Sequence, residues 1–243
     1  GSEMCIRDRY SRSDFDSSTP SNQRHQITSK TLLRAYELGL FPMAEDYESS
    51  AIHWIDPERR GVIPLSCFHM SRSLKRTWRR APFLISVDKS FGEVIEACAK
   101  RTQERQNTWL NPRIIELYTE LHRVGKAHSV ECWSDGKVVG GLYGVTIGAA
   151  FFGESMFSDV RDSSKLALVH LVERLRSGGF LLLDTQFLTD HLRQFGAIEI
   201  DRDEYKRILR KAISEKANFY SLDAVGGNDS IVTGGVPVEA LGE

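Results

Sequence analysis

The sequence predicts an α+β fold, a mixed sheet flanked by helices, and three observations carry that prediction. Residues 127–133, 137–147 and 149–157 are successive runs of period-two or continuous β character, the first two joined by a Ser134-Asp135-Gly136 turn, which reads as three antiparallel strands. A helical pattern follows over 162–176, with Leu166, Val169, Leu171 or Val172, and Leu175 apolar, and it stops at Gly178-Gly179. The apolar run 180–184 comes next, and a strand reached through such a crossover lies parallel to a neighbour.

The other elements follow in order. Residues 28–40 place Leu32, Leu33, Tyr36 and Leu40 at helical spacing behind a Thr28/Ser29 cap. Phe41-Pro42-Met43 and the stretch 52–65 are brief β-type runs punctuated by proline, which suggests a small sheet. Asp88 or Ser90 caps a helix carrying Phe91, Val94, Ile95 and Cys98, and Asn111-Pro112 opens another with Ile114, Ile115, Tyr118 and Leu121 inward. After the crossover come a short helix at 189–195, a strand at 198–200 and a last helix at 203–212. The first 26 residues are polar and almost without aliphatic side chains, so a disordered leader is expected. Five glycines among the thirty residues from 214 predict an irregular tail.

Composition excludes several classes. Lys and Arg total 32 against 33 Asp and Glu, a net charge of -1, which rules out attachment to nucleic acid by bulk charge and leaves room for a local basic patch. The longest apolar runs fall far short of the roughly 20 residues of a membrane-spanning helix, so no membrane partner is expected. Cys5, Cys67, Cys98 and Cys132 form no CxxC pair, and the seven histidines show no HExxH or paired spacing. Reduced thiols, a cytoplasmic setting and no bound metal are the expectation. Gly140-Gly141-Leu142-Tyr143-Gly144 lies inside a β run and precedes no helix, so it is no phosphate loop, and its glycines read as a bulge or a close ligand approach. No GxSxG elbow is present.

Three features can carry chemistry. Residues 59–87 contain seven basic side chains, Arg59, Arg60, Arg72, Lys75, Arg76, Arg79 and Arg80, and no acidic one. On a helix Arg72, Lys75, Arg76 and Arg79 share one face suited to phosphates, and a solvated basic helix is the plain alternative. The second feature is residues 151–158, where period two places Phe152, Glu154 and Met156 on one face. A carboxylate between apolar neighbours needs either a cationic ligand or a structural ion pair. The third is Asp184 and Gln186 at the end of an apolar strand, an acceptor pair that can hold and deprotonate an amine or simply cap the next helix. Trp54, Trp109, Trp133, Tyr36 and Tyr118 are aromatics for stacking on a base or for core packing.

The blocks Tyr36-Glu37-Leu38-Gly39-Leu40-Phe41-Pro42-Met43, 54–65, 68–74, Thr108-Trp109-Leu110, 121–131, 140–145, Gly153-Glu154-Ser155-Met156-Phe157-Ser158 and Asp184-Thr185-Gln186-Phe187 together resemble the leucyl/phenylalanyl-tRNA-protein transferases, over roughly residues 32–209. The resemblance implies a GNAT-like acyltransferase domain preceded by a small N-terminal α/β domain. The chain then divides into a leader (1–26), the small domain (27–66), the acyltransferase domain (67–213) and a tail (214–243). It further implies transfer of Leu, Phe and less readily Met from aminoacyl-tRNA to a protein N-terminal Arg or Lys, which marks the acceptor for degradation, by a monomer that needs no cofactor.

CoA-dependent members of that superfamily hold pyrophosphate with a Gln/Arg-x-x-Gly-x-Gly/Ala turn. Here the corresponding residues are Val160-Arg161-Asp162-Ser163-Ser164-Lys165, so no CoA cradle is visible. Carried over by resemblance, Glu154, Asp184 and Gln186 are the catalytic residues, with Glu154 recognising the acceptor's positive side chain or amine and Asp184 and Gln186 orienting the attacking α-amine and accepting its proton. Leu142, Phe152, Met156 and Leu183 line the aminoacyl pocket. Trp54, Trp109 and Tyr118 contact the terminal adenosine, and Arg72, Lys75, Arg76, Arg79 and Arg80 contact tRNA phosphates.

Overall fold

The computed structural model describes residues 27–49, 51–101, 107–226 and 232–233. The expected leader lies outside them. Helix α1 (Ser29–Glu37) starts where the Thr28 hydroxyl accepts from Thr31 N at 3.2 Å. Strands β1 (Phe41–Met43) and β2 (His53–Ile55) then pair as a two-stranded sheet, while β3 (Arg59–Ile63) leaves them for the main sheet. The expected division at 66 assigns those β3 residues to the small domain instead.

Helix α2 (Arg72–Arg80) is followed by β4 (Leu84–Val87), a strand that periodicity does not flag. Helices α3 (Phe91–Ala99) and α4 (Pro112–Arg123) come next, the latter capped by Asn111 Oδ1, which accepts from Ile114 N at 2.8 Å. Strands β5 (Ala127–Ser134), β6 (Lys137–Ile147) and β7 (Ala150–Ser158) form the expected antiparallel run. Then follow α5 (Ser163–Ser177), β8 (Leu182–Gln186), α6 (Asp190–Arg193), β9 (Ile198–Asp201) and α7 (Arg202–Ser214).

The described part of the expected tail, residues 214–226 and 232–233, holds regular elements. Helix α8 (Ser221–Gly226) is clamped to α5, because buried Arg174 makes two bonds to Asp223, at 2.6 and 2.8 Å, and one to Phe219 O at 2.8 Å. Strand β10 (Val232–Thr233) pairs with β4.

The eight-stranded sheet runs β10-β4-β5-β6-β7-β8-β3-β9, and its one parallel pair is β7 with β8, as the crossover demands. Two apolar clusters cover it. One face packs on α2, α5 and Phe219. The other packs on α1, α3, α4 and α7. The parallel pairing spans only Ala150–Phe152 against Leu182–Asp184, after which β7 and β8 part. That wedge, which opens after Phe152 and Asp184, positions the site.

Candidate active site

Glu154 lies where β7 changes phase. Gly144 pairs with Gly153 and Tyr143 with Ser155, so Glu154 is the extra residue of a β-bulge. The bulge is the first outcome foreseen for the glycines of β6. It turns the Glu154 carboxyl onto the face of α1 and α4, where Tyr36 Oη donates to Oε1 at 2.6 Å and Tyr118 Oη donates to Oε2 at 2.7 Å. The two phenol oxygens are themselves 2.5 Å apart.

Three short oxygen contacts need three hydrogens and the phenols supply two, so when Glu154 holds a proton it donates to one phenol, that phenol donates to the other, and the second donates back to the carboxyl group. The electrostatics agree: burial pushes the Glu154 carboxyl up to about 7, against the downward pull of Tyr36, Tyr118 and Gln186, and the charge of Asp184 adds to the rise. A third buried phenol, Tyr143, packs edge-on to Tyr118, and its hydroxyl has no partner.

Asp184 lies on the same sheet face, opposite Phe152, and is closed to solvent. Arg60 Nε bonds Oδ1 and Oδ2 at 3.0 and 3.2 Å, Arg60 Nη2 bonds Oδ2 at 2.6 Å, and Tyr205 Oη donates to Oδ2 at 2.7 Å. Arg60 Nη1 bonds Gly39 O at 3.0 Å, and the guanidinium lies 4.5 Å from the ring centres of both Phe41 and Tyr205. The Oδ1 oxygen of Asp184 also accepts from Gln186 N at 2.8 Å. With its oxygens bonded by the Arg60 fork, Tyr205 and the Gln186 backbone, Asp184 has the contacts of a group that positions its neighbours.

Gln186 is held in the left-handed region at φ 64, an uncommon state for a side chain of this kind and one that clusters at functional sites. Its buried amide nitrogen faces the Glu154 carboxyl group closely enough to draw that group's pKa down. Gly61 makes the turn possible: it pairs with Gln186, and a Cβ there would lie 2.6 Å from the Phe187 carbonyl carbon.

The bulge also separates residues that period two groups together. Phe152 belongs to the cluster on the Glu154 face, whereas Leu142, Met156 and Leu183 belong to the α5 face together with Phe151. The expected shared face of Phe152, Glu154 and Met156 is therefore corrected, and Phe151 takes the place foreseen for Phe152 beside the aliphatic trio. The carboxyl groups and Leu142, Met156 and Leu183 thus belong to opposite faces of the sheet.

Tyr118 is another correction. It is fully buried with its hydroxyl committed to Glu154, so it offers no open ring to a nucleoside. Trp54 and Trp109 are half-buried against the Glu154-face cluster and keep exposed surface. Of the seven clustered cations, Arg59 bonds Asp201 and Arg60 is the buried partner of Asp184, so neither belongs to a surface field. Arg72, Lys75, Arg76, Arg79 and Arg80 stand on α2 around the buried Leu74 and Trp78, and none has an acidic partner among the described residues. Arg72 and Lys75 near the helix N-terminus oppose its dipole, an arrangement that folding alone does not favour.

Sequence reasoning misses Tyr205, and it reads Arg60 only as part of a basic run and Tyr36 only as an aromatic for stacking or packing. Their parts at the site become readable only when the segments they pack against are known. Among the described residues no cluster of His, Cys, Asp and Glu is placed to hold a metal ion, and no helix is long and apolar enough to cross a membrane.

Fold and site together define an α+β protein with a proton-holding carboxyl group set in a wedge of its sheet. A family model described as leucyl/phenylalanyl-tRNA protein transferase matches residues 62–210, and the model of that family's N-terminal domain matches residues 25–58. A leucyl/phenylalanyl-tRNA--protein transferase of Phenylobacterium zucineum (strain HLK1) is 56% identical over 199 residues, covering 82% of this chain and 90% of the relative. One from Rhodopseudomonas palustris (strain HaA2) is 50% identical over 216 residues, covering 89% and 95%. The chain belongs to the leucyl/phenylalanyl-tRNA protein transferase family.

Proposed function

We propose that this chain moves leucine or phenylalanine, and less readily methionine, from the terminal adenosine of aminoacyl-tRNA to the N-terminal Arg or Lys of a protein. It does so in the cytoplasm as a monomer, on a GNAT-like domain and without a cofactor, and marks the acceptor for degradation. The observation that supports the assignment of roles is the ring of Glu154, Tyr36 and Tyr118 beside Gln186 at the wedge.

An aminoacyl ester is already activated, so the tasks are alignment and removal of one proton from the attacking amine. The amine attacks the ester carbonyl and its proton passes to ionised Glu154, where it supplies the third hydrogen of the ring. A carboxyl group near 7 and an α-amine near 8 exchange a proton with little energy difference. The buried amide of Gln186, beside Glu154, donates to the carbonyl oxygen as charge develops there. The intermediate collapses with cleavage of the C–O bond, and protonated Glu154 returns its proton to the departing adenosine oxygen, which leaves Glu154 ionised for the next turn.

Asp184 acts as a positioning residue that fixes the Gln186 backbone and the Arg60 fork. Leu142, Met156, Leu183 and Phe151 line the slot for the aminoacyl side chain, with selection by shape and desolvation. Trp54 and Trp109 stack on the terminal adenosine, and the α2 cations contact tRNA phosphates.

Incubation with radiolabelled leucyl-tRNA and a peptide beginning with Arg tests the proposal, and label in the peptide is the expected result. Bound tRNA with an unlabelled peptide would support a noncatalytic RNA-binding protein instead, and tight binding of CoA in a calorimeter would support a CoA-dependent acyltransferase.

A further inference from the structure

A cleft of about 440 Å³ lies between α2 and the start of α5, outside the catalytic wedge. That volume is within the range of ligand pockets, roughly 300–1,000 Å³. Its walls combine apolar surface from Leu74, Phe83 and Phe195 with polar groups from Ser73, Thr77 and Gln194. Val160, Arg161 and Asp162, which link β7 to α5, close one side. Gln194, which follows α6 after β8, closes another. β8 ends at Gln186 and β7 runs on from Glu154 to Ser158, so the segments that close the cleft follow the two strands that carry the site.

We propose that this cleft seats the unpaired nucleotides that precede the terminal adenosine of the aminoacyl-tRNA donor, an inference that rests on the function proposed above. Charge complementarity selects this occupant. Ser73 and Thr77, one helical turn apart, face the cleft from α2. Arg76 and Arg80 occupy the neighbouring stripe of the same helix, without acidic partners among the described residues. Arg161 adds a side chain that is 94% exposed, and Lys165 lines the cleft 3.1 Å from Asp162.

A rim of this sign attracts a phosphate backbone and repels the other substrate, whose terminal residue is itself Arg or Lys. Asp162 is the one carboxylate of the lining. Arg161 and Lys165 hold it at 3.7 and 3.1 Å, and its remaining lone pairs can accept the exocyclic amine of cytosine. Gln194 Nε2 bonds His191 O at 2.8 Å, and the residue is exposed at the edge of the cleft. Pro82 and Val160, both exposed, give the apolar surface on which a base can lie.

Two donors separate this site from the catalytic one: leucine esterified to adenosine alone, and leucine esterified to the trinucleotide CpCpA. The wild-type chain is expected to prefer the trinucleotide ester by kcat/KM. Thr77→Trp, which fills the cleft, should lower kcat/KM for the trinucleotide ester by about tenfold while changing that for the adenosine ester by less than about twofold. Gln194→Ala, at an exposed position that folding tolerates, should shift the same ratio in the same direction by a smaller factor. An unaltered donor preference in both variants, or equal losses on both donors, would overturn the cleft assignment alone. A wild-type chain inactive with both esters would overturn the transferase reading and this inference with it.

Discussion

Glu154 and Asp184 lie on adjacent strands and one face of the sheet, both closed to solvent, yet they are held in opposite ways. Asp184 is surrounded by the Arg60 fork, a phenol and a backbone N–H, a set that satisfies a full negative charge. Glu154 has phenols and no cation among its hydrogen-bond partners, and the charge of Asp184 nearby makes ionisation harder still. Equal burial thus gives one carboxylate paired with a guanidinium that organises the site and one carboxyl group poised to exchange a proton near neutrality. The difference comes from the charge of the partners.

The comparison breaks most visibly at Arg60. Arg60→Ala leaves Asp184 buried and unpaired and should cost about 3–5 kcal/mol in urea unfolding, whereas Arg60→Met combined with Asp184→Leu should lose much less. A single variant as stable as the wild type would mean that Asp184 is not held as a charge.

Glu154→Gln should keep the fold and lower transfer by about 10²–10⁴-fold, measured as kcat/KM for a peptide beginning with Arg. It should also remove a pH effect on stability. The folded-state value of Glu154 is raised from 4.5 to about 7, so the folded chain binds the extra proton between those limits. The contribution of Glu154 is therefore fully present below 4.5 and is lost as pH rises through about 7. The Gln variant should gain relative stability from about pH 5 to about pH 8, and a constant difference across that window would contradict the raised value.

Tyr36→Phe removes one donor that favours the ionised form. The midpoint of the rise in kcat/KM with pH should move upward, and an unmoved midpoint would take Glu154 out of the rate profile. The smallest effects are expected on α2. Lys75→Glu with Arg76→Glu should weaken tRNA binding and reduce its salt slope by about 0.9 for each phosphate that the helix no longer neutralises. An unchanged slope would remove that helix from the interface.

Much of the fold is legible in the sequence because its signals are local. Alternation along 127–157 marks β5, β6 and β7, and the cap and proline at Asn111-Pro112 mark the start of α4. What depends on pairing is not legible. The bulge at Glu154 exists only because β6 and β7 are out of step there, and it moves Met156 to the opposite face. Arg60 reads as one cation in a basic run, and only the insertion of β3 between β8 and β9 places it against Asp184. Phe219 reads as part of a glycine-rich tail, yet it stacks on His128 at 4.1 Å and on Phe151 at 5.8 Å.

The sequence by itself determined the α+β order, the crossover that makes β7 and β8 parallel, the basic stripe of α2, and the acidic and amide residues of the site. These follow from side-chain periodicity and residue chemistry, which are properties of neighbours along the chain. Tertiary structure alone decided which carboxyl group pairs with a guanidinium and which sheet face each pocket residue joins. It also decided which cations remain free for a ligand. Protonation and burial depend on groups brought together from distant segments, and no local pattern encodes that proximity.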